Sequence, residues 1–308
     1  AYYSVMYSVP EELLEILERD YDYETIDRIL ASGDSDRPTA IRVNTEKISV
    51  TAFSEKLRQN GITVERGSMN DTSLLISGYD YIRKVPGFFD GEFVVQDQSS
   101  CLAVKAAGIN EGDLVVDVCA APGGKTMYAA MLTGSEGHVI SRDLIDKKTE
   151  LIEENIERLG LSNVTVQVHD AREFDEELTG KADVVIADLP CSGLGIMGRK
   201  NDIKYHVSME SVKELAQLQR EILDTVCRYV KPGGTLVYST CTIDSIENDE
   251  NAVWFADTHD FSLCGIDDVV PEHGGERGFV TLHQGIDECD GFFISKFRAD
   301  SNNQIGQE

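Results

Sequence analysis

A series of short, almost continuously apolar runs separated by helical segments constrains the fold of this chain more than any other feature. Strands that are apolar on both faces and alternate with helices indicate a parallel sheet covered on both sides. We therefore expect an α/β fold with a seven-stranded, doubly wound, Rossmann-like sheet, whose longest helix covers 209–230 and whose last two strands form an antiparallel hairpin. The runs are LVVDVCA (114–120), HVISRD (138–143), VTVQVHD (164–170), ADVVIADLP (182–190), GTLVYSTC (234–241), 278–282 and 291–297.

The chain before these runs has a different pattern. Apolar residues at helical spacing predict helices from Pro10 and from Tyr23, the second ending at Gly33. After them, a strand at 39–44, a helix near 50–60, and strands at 62–66 and 73–77 predict a small α+β module. We expect three parts: 1–91 with the small module, 92–298 with the large sheet, and a disordered polar tail at 299–308.

Composition narrows the function classes. No run approaches the ~18 apolar residues of a membrane span, and the opening AYYSVMYSVP lacks the features of a signal peptide, so we expect a cytoplasmic protein without membrane partners. The seven cysteines contain no Cys-x-x-Cys pair and the six histidines no His-x-x-x-His, which predicts neither a disulfide framework nor a metal. The net charge of −27 argues against nucleic acid unless a local basic strip exists.

The loop CAAPGGKT (119–126) follows the first run and opens a helix, which is where ligands bind in open α/β sheets. A plain glycine turn is one interpretation. A phosphate-binding P-loop is another, since GKT ends the loop and VVIAD (184–188) imitates a magnesium-holding strand. However, Cys119 replaces the first glycine of that motif, and Pro122 removes a backbone N–H that phosphate binding would use. Both departures count against nucleotide hydrolysis.

Three acids end successive strands at one edge of the predicted sheet: Asp143, Asp170 and Asp188. At the first position an acid accepts hydrogen bonds from both ribose hydroxyls. At the second, it can accept from an exocyclic amino group such as that of adenine. A nicotinamide cofactor would also use such acids, but the motif G-x-G-x-x-G is absent. S-adenosylmethionine (SAM), which carries a diol, an adenine and a cationic sulfonium and amine, fits this acidic rim.

Two cysteines follow the fourth and fifth strands. Cys191 comes directly after Asp188-Leu-Pro, and Cys241 follows Thr240. If these strands are neighbours, both thiols reach the cofactor-facing edge. C5 of a pyrimidine is a poor nucleophile, and a thiolate that adds to C6 activates it toward a methyl donor. The pair predicts pyrimidine C5 methylation in which a second thiol assists release as an acid or base, and spacing leaves open which thiol attacks.

Six motifs then occur in succession: CAAPGGKT (119–126), DLPCSG (188–193), RKNDIKY (199–205), ELAQLQREIL (214–223), STCTIDSIENDENA (239–252) and DGFFISKF (290–297). Together they resemble the RNA cytosine-C5 methyltransferases of the Sun/NOP2 type, most closely the bacterial enzymes that act on small-subunit ribosomal RNA. The resemblance covers most of 35–298. It implies a SAM-dependent methyltransferase core after a small RNA-recognition module, with ribosomal RNA as substrate and transfer RNA as the alternative. Bacterial relatives usually carry a NusB-like helical domain ahead of this region, and we expect none within the residues before the small module, by truncation or by nature.

The resemblance also implies roles by position. Cys241, in the Thr-Cys motif, is the nucleophile and Cys191, in the Pro-Cys motif, promotes release; DNA cytosine methyltransferases use the reverse assignment, which is the main alternative. Asp188 lies near the methionine end of the cofactor and the target base, and Lys125 points toward that base. Cofactor binding falls to Cys119, Ala120, Ala121, Pro122, Gly123, Gly124, Lys125, Asp143, Asp170 and Asp188, and catalysis to Cys241, Cys191, Asp188 and Lys125.

The basic strip that RNA binding requires is GRKNDIKYH (198–206), in which Arg199, Lys200 and Lys204 oppose one acid. Single-stranded or opened RNA would pass here, because the target base must leave its stack to reach the thiols. Residues 243–260 contain six acids and no Lys or Arg, and we expect them to form a solvated face. A P-loop nucleotide hydrolase and a noncatalytic RNA-binding ribosome-assembly factor remain as alternative functions.

Overall fold

The computed structural model describes residues 2–33, 37–271, 273 and 275–301. The first elements are three helices, and the predicted amphipathic helix after Pro10 is among them with Leu13, Leu14 and Leu17 buried. Their apolar faces pack against loops of the large domain, including Leu194 and Ile243. These helices are α1 (Tyr2–Met6), α2 (Glu11–Asp20) and α3 (Tyr23–Ser32).

A small α+β module follows, in which all strand pairings are antiparallel. Its sheet has the order β2-β3-β1-β4. The last strand lies in the segment that the sequence placed in the second part, so the small sheet extends beyond residue 91. Phe93 of this strand contacts Phe53 of the module's helix with ring centroids 5.6 Å apart, and burial of that pair explains the pairing. The elements are β1 (Thr39–Val43), α4 (Val50–Gln59), β2 (Thr63–Arg66), β3 (Ser73–Ser77) and β4 (Phe93–Val95).

The large domain is an eight-stranded mixed sheet between helices, in the order β10-β12-β9-β8-β5-β6-β7 with β11 paired to β12. Strands β5 to β9 are parallel, whereas β12 runs antiparallel to β9, β10 and β11. Its elements are α5 (Gln98–Ala107), β5 (Leu114–Asp117), α6 (Gly124–Thr133), β6 (His138–Asp143), α7 (Asp146–Leu159), β7 (Val164–Val168), β8 (Ala182–Asp188), α8 (Met209–Val226), β9 (Val230–Thr240), α9 (Asp249–Thr258), β10 (Phe261–Leu263), β11 (Phe279–Leu282) and β12 (Phe292–Ala299).

The doubly wound fold and the terminal hairpin are confirmed, with two differences. The sheet gains the short edge strand β10, which the sequence analysis missed. Helix α8 ends at Val226, four residues earlier than predicted, because Pro232 disfavours the helical conformation in the residue before it and Val230 already pairs with Ala182. Of the predicted disordered tail, Ala299 ends β12, and 302–308 lie outside the described residues. Among the described helices, none combines the length and hydropathy that a bilayer crossing requires.

The strand order reverses at β5, with β6 and β7 on one side and β8 and β9 on the other. Such a switch point opens a crevice at the carboxyl ends of the strands. On the β8 side, Asp188 lies opposite Ser239 in the parallel register, so the turns that follow both strands leave the sheet at the same height. Cys191 and Cys241 are therefore brought to one place.

Two glycines allow the backbone after Cys191 to approach the last strand. Gly195 donates its N–H to the Cys241 carbonyl at 3.0 Å, and its own carbonyl accepts the Gly291 N–H at 2.8 Å. A Cβ atom on Gly195 would lie 2.0 Å from the Gly291 oxygen, which is backbone and cannot rotate away.

We therefore expect Gly195→Ala to lower the free energy of unfolding by about 1–3 kcal/mol, the usual range for overpacking. Urea unfolding followed by circular dichroism measures the change. Gly265→Ala is the control. A Cβ atom there would contact the end of the Asp267 side chain, which can rotate away, so little stability should be lost. Equal stability of the two variants would contradict the close backbone approach.

Candidate active site

The loop after β5 is held in place by its own backbone. Ala120 donates its N–H to the Arg142 carbonyl at 2.8 Å, and Gly123 donates to Ala120 at 2.7 Å. Gly123 precedes α6 with φ +100°, and a Cβ there would lie 2.7 Å from the Met127 methyl group. A glycine is needed at this position because few other residues adopt that conformation. The loop thereby curves around the end of β5 and leaves a cleft in front of it.

The cleft has a volume of about 410 Å³ and contains all three acids of the predicted rim. Asp143 accepts the Ala121 N–H at 3.1 Å and the Ile145 N–H at 3.2 Å, which fixes its carboxylate at the end of β6. Each of its oxygens keeps a lone pair that a ribose hydroxyl could use. Apolar side chains, including Leu189 and Leu218, form the rest of the wall. The chemistry of these residues fits a nucleoside with a cationic substituent.

Asp170 has a partner that the sequence spacing did not reveal. Arg172 binds its carboxylate with three side-chain contacts between 2.6 and 3.2 Å and one backbone N–H at 3.0 Å. Hydrogen bonding to Arg172 lowers the pKa of Asp170. An adenine amino group at this acid would therefore share the carboxylate with a guanidinium that is half exposed.

Lys125 forms an ion pair of 2.6 Å with Asp188, which lines the cleft. Burial disfavours the charged lysine, but the adjacent Asp188 carboxylate outweighs that effect and raises the pKa of Lys125. The other oxygen of Asp188 accepts a hydrogen bond from Ser239 at 2.8 Å, and the Lys125 ammonium lies 5.1 Å from the centre of the Phe292 ring. Lys125 is thus bound to a carboxylate, which is not the free position that a P-loop lysine requires.

The two cysteines meet in the structure. Their Sγ atoms are 3.2 Å apart, and both side chains are half-buried. A hydrogen bond from Cys191 lowers the pKa of the Cys241 thiol, and Lys125 and Lys200 act in the same direction. Donating that hydrogen bond, together with burial, raises the pKa of Cys191. These directions make Cys241 the more acidic of the two thiols.

The three cations of the predicted basic strip have different environments. Arg199 binds Asp290 at 2.7 Å and approaches Asp97 at 3.6 Å, while Lys204 is buried with 7% of its surface exposed. Lys200 is exposed. The two acids that bind Arg199 are distant in sequence, so spacing alone could not identify them.

Sequence analysis missed two buried acids beside the site. Asp117, at the end of β5, accepts a hydrogen bond from Thr126 at 2.7 Å, and its other oxygen has no partner among the described residues. Glu247 lies behind the Cys191 turn, within the segment expected to be a solvated face; Asp244 of that segment is buried too, which corrects the expectation. Burial raises the pKa of Asp117 and of Glu247 to about 7. Both acids lie inside the quoted runs LVVDVCA and STCTIDSIENDENA, which were the available signal.

Two family profiles match this chain, and both describe domains of the same group of proteins. The profile of the family described as "16S rRNA methyltransferase RsmB/F" matches residues 105–298, and that of the "Methyltr_RsmF/B-like, ferredoxin-like domain" matches 9–80. The chain belongs to the RsmB/RsmF family of ribosomal RNA methyltransferases. This confirms the resemblance to the Sun/NOP2 type and the SAM dependence of the family. It leaves the P-loop hydrolase interpretation without support.

Individual relatives of the RsmB/RsmF family match most of the chain. A "Probable ribosomal RNA small subunit methyltransferase B" of Bacillus subtilis is 37% identical over 301 residues, covering 94% of this chain and 66% of that protein. A "Ribosomal RNA small subunit methyltransferase F" of Escherichia coli is 32% identical over 285 residues, covering 89% and 60%. A crystal structure of a methyltransferase homologue from Pyrococcus horikoshii is 27% identical with a TM-score of 0.77, covering 94% and 99%. The chain spans about two thirds or less of the two curated relatives.

The buried Asp117 makes the stability of this RsmB/RsmF-type domain depend on pH. A carboxyl whose pKa rises from 3.8 in the unfolded chain to about 7 holds a proton in the folded state between these values. The folded state then binds more protons than the unfolded one, so its stability falls as pH rises through this window and is constant above it.

We expect Asp117→Asn to reduce the loss of unfolding free energy between pH 5 and pH 8, by on the order of 1.4 kcal/mol per unit of pKa difference removed. Urea unfolding of both proteins at the two pH values measures it. The exposed Asp146→Asn serves as the control. An identical pH dependence of Asp117→Asn and the unaltered protein would show that Asp117 is ionised in both states.

Proposed function

We propose that this protein uses SAM to methylate C5 of cytosine in small-subunit ribosomal RNA through a covalent adduct between a cysteine and C6. The observation that carries the proposal is the 3.2 Å contact between Cys191 and Cys241 beside the 410 Å³ cleft. Methyl transfer to oxygen or to an amino nitrogen needs no covalent activation of the ring, so it would not require two adjacent thiols. The names of the relatives support a small-subunit ribosomal RNA substrate.

In this proposal Asp143 binds the ribose of the cofactor, Asp170 faces the adenine, and Asp188 lies near the methionine end and the target base. The loop 119–125 forms the floor of that site. The two acids at the ends of β6 and β7 line the same cleft as Cys119 and Ala121. When bound, the cofactor supplies an electrophilic methyl group next to the thiols.

The resemblance assigns the steps to the two thiols, and the lowered pKa of Cys241 supports that assignment. Cys241, as thiolate, adds to C6 and makes C5 nucleophilic, and C5 then accepts the methyl group that the bound sulfonium would supply, with the neutral thioether as leaving group. A base takes the C5 proton, the electron pair of that C–H bond re-forms the C5–C6 double bond, and the Cys241 sulfur departs as thiolate. Cys191 promotes this release as an acid or base. Lys125, held by Asp188, points toward the base and keeps a positive charge near the Cys241 sulfur.

RNA approaches across the loop that carries Lys200. In this proposal Lys200 contacts phosphate directly, and Arg199 and Lys204 contribute by shaping that loop, because the first is bound to Asp290 and the second is buried. The target base leaves its stack to enter the site. The protein acts in the cytoplasm, where the small subunit is assembled.

One measurement distinguishes the proposed methyltransferase from a noncatalytic assembly factor. Incubation with tritiated SAM and either small-subunit ribosomal RNA or transfer RNA shows whether label is transferred and to which RNA. Nuclease digestion and chromatography then identify the product as 5-methylcytidine. Absence of transfer to any RNA would favour the assembly factor, and transfer to transfer RNA alone would change the substrate.

We expect Asp143→Ala to raise the dissociation constant of S-adenosylhomocysteine at least tenfold, or about 1.4 kcal/mol, because a buried acceptor for the ribose is removed. Isothermal titration calorimetry measures the constant. Glu150→Ala, an exposed acid on α7, is the matched control and should bind normally. Unchanged affinity in Asp143→Ala would show that Asp143 does not bind the ribose.

The roles of the cysteines are tested by the adduct itself. We expect Cys241→Ala to abolish the covalent RNA–protein species on denaturing gels and Cys191→Ala to accumulate it, since release is then slow. Cys264→Ala, a half-buried cysteine on another loop, should match the unaltered protein. The reverse pattern would exchange the two roles.

A further inference from the structure

Two segments singled out in the sequence have no role in the chemistry above: ELAQLQREIL (214–223), and the part of STCTIDSIENDENA that follows Thr242. In the structure they meet behind the two cysteine turns. Gln219 of α8 donates from Nε2 to the Pro190 carbonyl at 3.0 Å and to Glu247 Oε2 at 2.9 Å. The same Glu247 oxygen accepts the Ser192 N–H at 2.9 Å. The residues on both sides of Cys191 are therefore held by one buried pair.

Asn248, which follows Glu247 in the sequence, holds the residues on both sides of Cys241 in the same way. Asn248 accepts a hydrogen bond from the Thr240 hydroxyl at 2.6 Å through Oδ1, and it donates from Nδ2 to the Thr242 carbonyl at 3.0 Å. These two partners flank Cys241. Asn248 has no exposed surface, so water cannot replace these bonds in the folded state.

A third contact joins the two turns directly. The hydroxyls of Ser192 and Thr242, each one residue after a cysteine, are 2.7 Å apart. Because Glu247 and Asn248 are adjacent in the chain, neither turn can move relative to the other without breaking one of these buried bonds.

We propose that Glu247 and Asn248 are positioning residues that set the separation of the Cys191 and Cys241 sulfurs, Glu247 through the Cys191 turn and Asn248 through the Cys241 turn. The role of this separation in catalysis rests on the proposed function, whereas the separation itself does not. Neither side chain is proposed to touch substrate.

Glu247 has a second effect, through its charge. A glutamine at this position could accept the same two hydrogen bonds without placing a carboxylate in the interior, where an ionised group costs free energy. Glu247 Oε1 has no hydrogen-bond partner among the described residues. The hydrogen bond to Cys241 and burial raise the pKa of the Cys191 thiol most, and the Glu247 carboxylate beside this turn adds to that effect above about pH 7, where it is ionised.

The separation is measured with phenylarsine oxide, because one trivalent arsenic atom bonds two thiols only when they are close. The arsenic bonds both sulfurs, the two thiol protons leave with the arsenic-bound oxygen as water, and nothing is oxidised or reduced. Titration of the full chain, followed by the absorbance of the arsenic–sulfur bonds, gives the dissociation constant. Cys191→Ala, titrated in parallel, gives the contribution of all other cysteines.

We expect Asn248→Ala to raise this dissociation constant at least tenfold, about 1.4 kcal/mol. Asn44→Ala is the matched control: Asn44 is equally buried and donates to the Gly91 carbonyl at 3.0 Å, but in the small module. It should lose stability without losing arsenical affinity. If Asn248→Ala does not fold, Thr240→Val removes one of the two bonds and should weaken binding in the same direction. Unchanged affinity in a folded variant would overturn the positioning role of Asn248.

Glu247 is tested by the conservative change Glu247→Gln in a Cys241→Ala background, where Cys191 titrates without its coupled partner. We expect the midpoint of the pH profile for alkylation of Cys191 by iodoacetamide, read by peptide mass spectrometry, to move to lower pH. Glu250→Gln, an exposed acid three residues farther on, should leave it in place. An unmoved midpoint in Glu247→Gln would show that the charge of Glu247 does not affect the pKa of the Cys191 thiol.

The turn held by Glu247 is tested with both thiols present. Glu247→Gln alone should keep the arsenical affinity, because a glutamine oxygen can replace Oε2, whereas Glu247→Ala should weaken it at least tenfold. Unchanged affinity in Glu247→Ala would overturn the positioning role of Glu247. These readouts need neither RNA nor SAM. A protein that binds the arsenical as expected but transfers no methyl group would refute the proposed function and leave the positioning inference intact.

Discussion

The register between β8 and β9 is the constraint on which the site depends. With Asp188 opposite Ser239, the side chains of both residues lie on the same face and hydrogen-bond at 2.8 Å. A slip by one residue would turn one of the two strands over and move its polar residues to the opposite face. Lys125 would then lose Asp188, and the two turns would leave the sheet at different heights. The contact of the two sulfurs is therefore a consequence of backbone pairing far more than of local attraction between thiols.

Around this register the protein keeps polar groups that a stable fold does not need. The Lys125–Asp188 pair is largely buried, and Asp117 and Glu247 each have a carboxylate oxygen without a partner among the described residues. Groups of this kind reduce stability, because desolvation is not fully compensated. The apolar interior of the large sheet, formed by β5, β8, β9 and β12 with the helices that cover them, offsets that cost. Destabilising polar groups concentrated at one edge of an otherwise apolar fold are typical of a site built for chemistry.

Local patterns in the sequence were enough to predict the parallel sheet, the switch-point loop, the acidic rim and the meeting of the two cysteines. Each of these depends on apolar runs and on the residues that come directly after them. The differences arise where a contact is nonlocal. Strand β10 is three residues long and exists through its pairing with β12, and the partners of Arg199 lie at 97 and 290. The acids at 244 and 247 look solvated in a charged segment, but α8 and the N-terminal helices cover them: Arg19 of α2 binds Asp244 at 2.7 Å. No spacing rule contains that information.

The acidic character of the chain constrains how it could recognise RNA. Three cations near the edge of the sheet are bound to carboxylates: Lys125 to Asp188, Arg172 to Asp170, and Arg199 to Asp290. Such pairs cancel locally, so they provide little long-range attraction for phosphate, and the net charge of −27 slows the approach of a polyanion. In the proposed function, affinity for an opened strand would then depend on short-range contacts, namely base stacking and the phosphate contact of Lys200. The same arrangement favours capture of an RNA that other contacts already hold nearby, because encounter by electrostatic steering is the step that this surface disfavours.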